Sequence, residues 1–297
     1  MLDSAQKSKF YLILTFNLTR IISYPAPARL GIFILALLSI WLPLAIPVYS
    51  LLKSDPNLAT ILTMGLMFIA FIILLRFWSQ KVYLDSHWLK RYGLVGTRQN
   101  GVDLLNGLSI GLLSVLGLFA LEAILGWVII KTPSIFLLRI VGEGLLSALG
   151  IGLAEELLFR GWFLNELERD YSPNTVLWAN ALIFALLHFL KPIEEILRTF
   201  PTFPALILLG LTLVWAKRSS SQRLGICIGI HAGLVWGYYI LNVGQLLQYT
   251  GKVSPWITGI DNNPIAGAMG IIFLGILAVW MRKRARISGK IKPSVDT

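Results

Sequence analysis

The chain has 297 residues, of which 56% are apolar and only 14% charged, with a mean hydropathy of +0.73. Soluble domains carry nearer a quarter charged residues, so this composition excludes an ordinary soluble fold and predicts an integral, multi-pass membrane protein. The net charge of +11 does not point to nucleic acid, because Lys and Arg fall in the gaps between apolar runs and not in a basic domain with interleaved aromatics. The one cysteine, Cys227, lies in an apolar run and excludes an intramolecular disulfide.

In chain order, apolar segments run over 30–52, 57–77, 102–130, 142–166, 174–190, 203–216, 223–242 and 264–281. They predict an all-α polytopic fold of about eight transmembrane helices, in one domain spanning 1–297, with a conical bundle core. The sixth segment is short, and Pro201 and Pro204 place a break before it. No short apolar core with a small-residue cleavage site follows Lys7 and Lys9, so a removed signal peptide is not expected. With eight spans, 19 lysines and arginines fall on one side, among them Lys7, Lys9, Arg29, Lys217, Arg282 and Lys292. Six fall on the other, and Arg160 lies within a span. That asymmetry predicts cytoplasmic termini, and a bacterial plasma membrane is the simplest host.

Small residues recur every four positions in two segments: Gly144, Ala148 and Gly152, then Gly225, Gly229, Gly233 and Gly237. Such stripes let helix backbones approach closely in lipid. Gly107, Gly111 and Gly117 of the third segment fit the same use. Among the remaining polar features, Glu122 and Glu143 are expected at interfaces. Lys191–Arg198 reads as a short amphipathic loop, and His87 as an ordinary loop residue.

Directly after the first stripe come Glu155, Glu156 and Arg160. Ionisable groups inside an apolar helix are costly, so they mark a site. Glu156 and Arg160, at i,i+4, can pair. Glu155 lies about 100° away around the helix and is left to face a neighbour. His188 and His231 also lie inside apolar segments, and His188 shares a helix face with Phe184 and Asn180. Counted from the expected helix ends, Glu155, His188 and His231 sit roughly 20, 21 and 18 Å deep, so three polar residues on three helices converge at one level. Two chemistries follow. In one, Glu155 is a general base that takes a proton from water, while one histidine holds the water and the other donates to a developing oxyanion. In the other, Glu155, His188 and His231 ligate zinc or another divalent metal and leave a position for water. Both hydrolyse an acyl bond.

Glu155-Glu156-Leu157-Leu158-Phe159-Arg160 resembles the EExxxR motif of the CAAX-processing and bacteriocin-processing (CAAX protease/ABI) family of intramembrane endopeptidases. Phe184 to His188 resembles its FxxxH motif, and His231 the start of its HxxxN motif, so the motif-bearing core covers about 140–245. The resemblance implies cleavage of peptide or membrane-protein substrates beside the bilayer, with Glu155 as base, His188 positioning the water and His231 on the oxyanion side. It also implies that Glu156 and Arg160 support the orientation of Glu155. Both metallopeptidase and metal-free glutamate mechanisms have been described for such proteins. One departure stands out: the last motif calls for Asn or Asp where this chain has Val235. Loss of one oxyanion donor costs about 10²–10³ in rate. Asn180, on the neighbouring helix, is a candidate replacement donor. The alternative to an enzyme is a non-catalytic membrane scaffold or immunity factor of the same fold. A Glu/His proton-coupled transporter ranks below both, because no repeat is visible.

Overall fold

A computed structural model describes residues 18–290, and Lys7, Lys9 and Lys292 lie outside them. The described chain divides into two compact units, the first ending at Trp88 and the second beginning at Leu89.

The first unit is a helical hairpin of α1 (Ala26–Leu51) and α2 (Pro56–Lys81). Asp55 caps α2 by accepting a hydrogen bond from Leu58 N at 2.9 Å, and Pro56 occupies the first turn, where no donor is required. The two helices are joined by the Phe33 ring, edge-on to Phe71 and Trp78, and by Trp41 Nε1 donating to Thr63 O at 2.9 Å. Arg29, expected as a flanking cation, is instead buried and donates to Tyr24 O at 2.5 Å.

The second unit holds α3 (Arg98–Ile124), β1 (Val128–Ile130), α4 (Leu137–Glu156), α5 (Pro173–Leu187), α6 (Ile193–Thr199), α7 (Phe203–Ser219), α8 (Gly225–Val243), β2 (Leu247–Tyr249) and α9 (Ala268–Lys290). A π-helical segment, Leu157–Phe163, and one further turn, Leu164–Leu167, prolong α4. The sequence reads 102–130 as a single apolar run, but the helix stops at Ile124. Gly126 then adopts φ +71 and turns the chain into β1, which pairs antiparallel with β2. Hydropathy alone does not separate this two-stranded ribbon from a helix.

α8 is the centre of the unit. Its glycine stripe interlocks with α3, so that a Cβ on Gly229 would lie 2.7 Å from Leu108 N and 2.9 Å from Gly107 Cα. The other stripe brings α4 against a second face of α8, with Gly152 over Ala232 and Gly144 against the Tyr239 ring. Gly117 makes no such approach; a Cβ there would meet only a ring atom of Phe273, at 3.7 Å. Arg223 pairs with Asp103 at 2.7 Å, and Asn100 Oδ1 accepts from Gly225 N at 2.8 Å, fixing the start of α8 on α3.

Among the described residues, six helical segments are long and apolar enough to cross a membrane: 26–51, 56–81, 98–124, 137–167, 193–219 and 225–243. That is fewer than the eight expected. α5 has 15 residues, about 22 Å of rise against a hydrocarbon core of about 30 Å. α9 has 23 residues but runs into Arg282, Lys283, Arg284 and Arg286. The segment 191–198 is also more ordered than a loop. It forms α6, and the break ahead of α7 is a 3₁₀ turn at Phe200–Thr202, where Pro201 interrupts the ladder. Glu122, near the end of α3, is fully buried with no hydrogen-bond partner on either oxygen among the described residues, whereas Glu143 is exposed and pairs with Arg139.

Candidate active site

Glu155 and Glu156 are consecutive on α4 and occupy opposite environments. Glu156 is completely buried, and its Oε1 lies 3.0 Å from Arg160 Nη1 and 2.8 Å from His231 Nδ1. Arg160 is equally buried; its Nη2 donates to Gly210 O at 3.3 Å, and its guanidinium carbon lies 4.3 Å from the centre of the Phe184 ring. Gly210 is required there, because a Cβ would lie 2.8 Å from Ala181 Cα and hold α7 off α5. The i,i+4 pair expected from sequence is therefore one edge of a larger sealed cluster. Buried charges are tolerable only with this degree of pairing.

The π-helical segment lies next to this cluster. Wide π turns recur at functional sites because they leave backbone groups out of the regular ladder. Here two side chains from other helices take carbonyl oxygens: Lys217 Nζ donates to Arg160 O at 2.5 Å, and Asn180 Nδ2 donates to Phe159 O at 2.9 Å. Lys217, read from sequence as a loop cation, is thus a buried residue of the site's supporting layer. Its position at the end of an apolar run gives no sequence signal that separates it from a flanking charge. Asn180 is fully buried and turned to the backbone, so it does not replace the donor absent at Val235.

Glu155 faces the two histidines. Its Oε2 is 3.9 Å from His188 Nε2 and 3.9 Å from His231 Nε2, and that oxygen is buried with no hydrogen-bond partner among the described residues. The distant ring nitrogen of each histidine is held. His188 Nδ1 lies 2.8 Å from Phe184 O, and because a carbonyl oxygen only accepts, Nδ1 is the donor and Nε2 is the nitrogen turned to Glu155. His231 Nδ1 donates to Glu156, which leaves its Nε2 towards Glu155 as well. Residue 188 itself is the C-cap of α5, not an interior helical position. One-third of the Glu155 and His188 side chains is exposed, against 6% of His231, so the first two form the open side.

A zinc ion at about 2.0–2.1 Å holds tetrahedral ligands about 3.4 Å apart. Both Glu155–histidine separations are wider, and among the described residues no three His, Cys, Asp or Glu side chains are arranged to hold a metal ion. As arranged, these donors are not a ligand set.

His188 and His231 open on a cavity of about 230 Å³, lined otherwise by apolar side chains of α3, α7, α8 and α9 and by the 263–265 turn. Val235 lies in that lining. Ser114 and Tyr238 also reach it, but their hydroxyls are committed to Ile110 O and Asn262 O.

No curated protein and no solved structure matches the chain. A family model described as type II CAAX prenyl endopeptidase Rce1-like does match, over residues 137–237, from the start of α4 into α8. That segment contains Glu155, Glu156, Arg160, His188 and His231, and over it this membrane protein is similar to the CAAX protease family.

Proposed function

We propose that the chain is an intramembrane endopeptidase that hydrolyses a peptide bond of a membrane-associated substrate with a water activated by Glu155. The observation that carries this reading is the unpartnered Glu155 Oε2, 3.9 Å from two imidazole Nε2 atoms whose other nitrogens are tied. A water about 2.8 Å from Glu155 and from one histidine would subtend an angle of about 90°, within hydrogen-bonding range. Glu155 takes one proton as the water oxygen attacks the scissile carbonyl carbon, and His188 Nε2 accepts the other hydrogen and holds the water in place. His231, with a proton on Nε2, donates to the oxyanion, and the Glu156 carboxylate on Nδ1 stabilises the imidazolium. The C–N bond then breaks as Glu155 returns its proton to the leaving nitrogen. The apolar cavity beside the histidines suits an apolar or lipid-modified segment of the substrate. The termini and the basic flanks are assigned to the cytoplasmic side by charge, in a bacterial plasma membrane.

Quantitative mapping of protein termini tests this, with wild-type and Glu155→Gln compared at equal membrane abundance. Termini present only with wild-type are expected, and the same cleavage with purified protein should fall by at least 10²-fold in the variant. Identical termini and equal cleavage by a folded Glu155→Gln protein would refute the role of Glu155.

A further inference from the structure

Away from the catalytic cluster, a cavity of about 630 Å³ opens between the first turns of α5, the end of α7 and the last turns of α9. Arg218, Arg282 and Arg286 face it, with Glu168 as the one acidic residue in the lining. Arg218 is partly committed, donating to Pro173 O at 2.8 Å and lying 3.7 Å from Glu168. Arg282 lies 5.8 Å from the centre of the Trp215 ring, and neither it nor Arg286 has an ion-pair or hydrogen-bond partner among the described residues. Trp178 and Trp215 complete the walls. Three guanidiniums against one carboxylate leave an excess of positive charge, and the planar guanidinium fork matches phosphate oxygens. The N-terminal end of α5 adds a further positive partial charge.

The surface next to the cavity distinguishes a lipid from a soluble anion. On α9, Ile272, Ile276, Val279 and Arg286 follow one another on a single face, and the three apolar members are exposed. An acyl chain laid along that stripe brings its headgroup to Arg286 and Arg282. Tryptophans at this level are the usual markers of the headgroup zone. We propose that this cavity binds the phosphate of an anionic phospholipid headgroup, with the acyl chains along the Ile272–Ile276–Val279 face of α9. A basic pocket between helices, flanked by exposed apolar surface, is the arrangement such recognition requires.

Native mass spectrometry of the full-length protein tests the proposal with dioleoyl phosphatidylglycerol, dioleoyl phosphatidylcholine and inorganic phosphate at equal concentrations. Wild-type should retain phosphatidylglycerol and neither of the others. The double variant Arg282→Gln/Arg286→Gln should bind phosphatidylglycerol at least tenfold more weakly. Lys90→Gln/Arg284→Gln loses the same charge from side chains outside both the cavity and the stripe, and should bind as wild-type does. Unchanged binding by the first double variant, or equal losses in both, would overturn the site in favour of diffuse surface charge. Retention of inorganic phosphate as strong as that of the lipid would overturn the lipid in favour of a soluble anion. Equal retention of phosphatidylcholine would overturn the preference for anionic lipid. The three ligand comparisons use wild-type alone, so misfolding of a variant does not remove the test.

Discussion

Glu156→Gln is the most exacting test of the site's electrostatics. The side chain is 0% exposed and its Oε1 serves both Arg160 Nη1 at 3.0 Å and His231 Nδ1 at 2.8 Å. Glutamine keeps the shape and one accepting oxygen but removes the charge, leaving the fully buried Arg160 guanidinium with neutral partners, the amide oxygen, Gly210 O and the Phe159 and Phe184 rings. Breaking one side of a buried pair costs about 3–5 kcal/mol. The retained acceptor places this change near 3 kcal/mol, or about 6–12 °C in melting temperature by the scaling of 150–250-residue domains. The protein carries its own reporter: Cys227 is the only cysteine, is fully buried, and lies one turn before His231 on α8. Reaction of Cys227 with a maleimide dye during heating therefore reads the opening of this core. The double change Glu156→Leu/Arg160→Met removes both charges into an apolar setting and should melt above either single variant. Melting of Glu156→Gln within about 2 °C of wild-type, or a double variant showing the sum of the single losses, would refute the sealed ion pair.

Three further outcomes follow from the same geometry. Gly229→Leu should abolish folding or stable accumulation, because even a Cβ would lie 2.7 Å from Leu108 N; Gly117→Ala, with its nearest contact at 3.7 Å, should melt within about 1 °C of wild-type in the same thiol assay. Phe184→Leu keeps the backbone carbonyl that holds His188 but loses the ring over Arg160, so a loss of about 1–2 kcal/mol is expected by chemical denaturation, with the substrate KM unchanged. Val235→Asn would place an amide donor in the cavity wall beside both histidines. Peptidase turnover should rise at least tenfold if oxyanion donation limits the rate, and an unchanged turnover would show that His231 suffices.

The polar residues of the site were legible in the sequence because burial inside an apolar helix is costly enough to exclude casual charge. Glu155, Glu156, Arg160, His188 and His231 stood out on that ground, and the i,i+4 rule gave the Glu156–Arg160 pair. The glycine stripes likewise forecast the close contacts of α8 with α3 and α4. What escaped was set by tertiary contact. Lys217 looks like any basic residue at the end of an apolar run until the packing of α7 turns it onto Arg160 O. The π-helical segment has no periodicity of its own, and Asn180 shares the face of His188 without revealing that its amide is used by Phe159 O. The strand at Val128–Ile130 is as apolar as the helix before it, and only the turn at Gly126 divides them.

The adjacency of the two glutamates gives the cluster its logic. In the proposed mechanism, a base that must release its proton to a leaving group needs access, whereas a group that orients an imidazole needs to be held. One residue of offset on a helix turns consecutive carboxylates about 100° apart, enough to leave Glu155 one-third exposed and to seal Glu156 against Arg160. His231 joins the two layers, with Nδ1 on the sealed carboxylate and Nε2 facing the open one. Any change that shifts α8 along α4 therefore displaces the histidine from both glutamates at once. The glycine contacts that fix α8 in place are on that account part of the site's precision, although none of them touches a reacting atom.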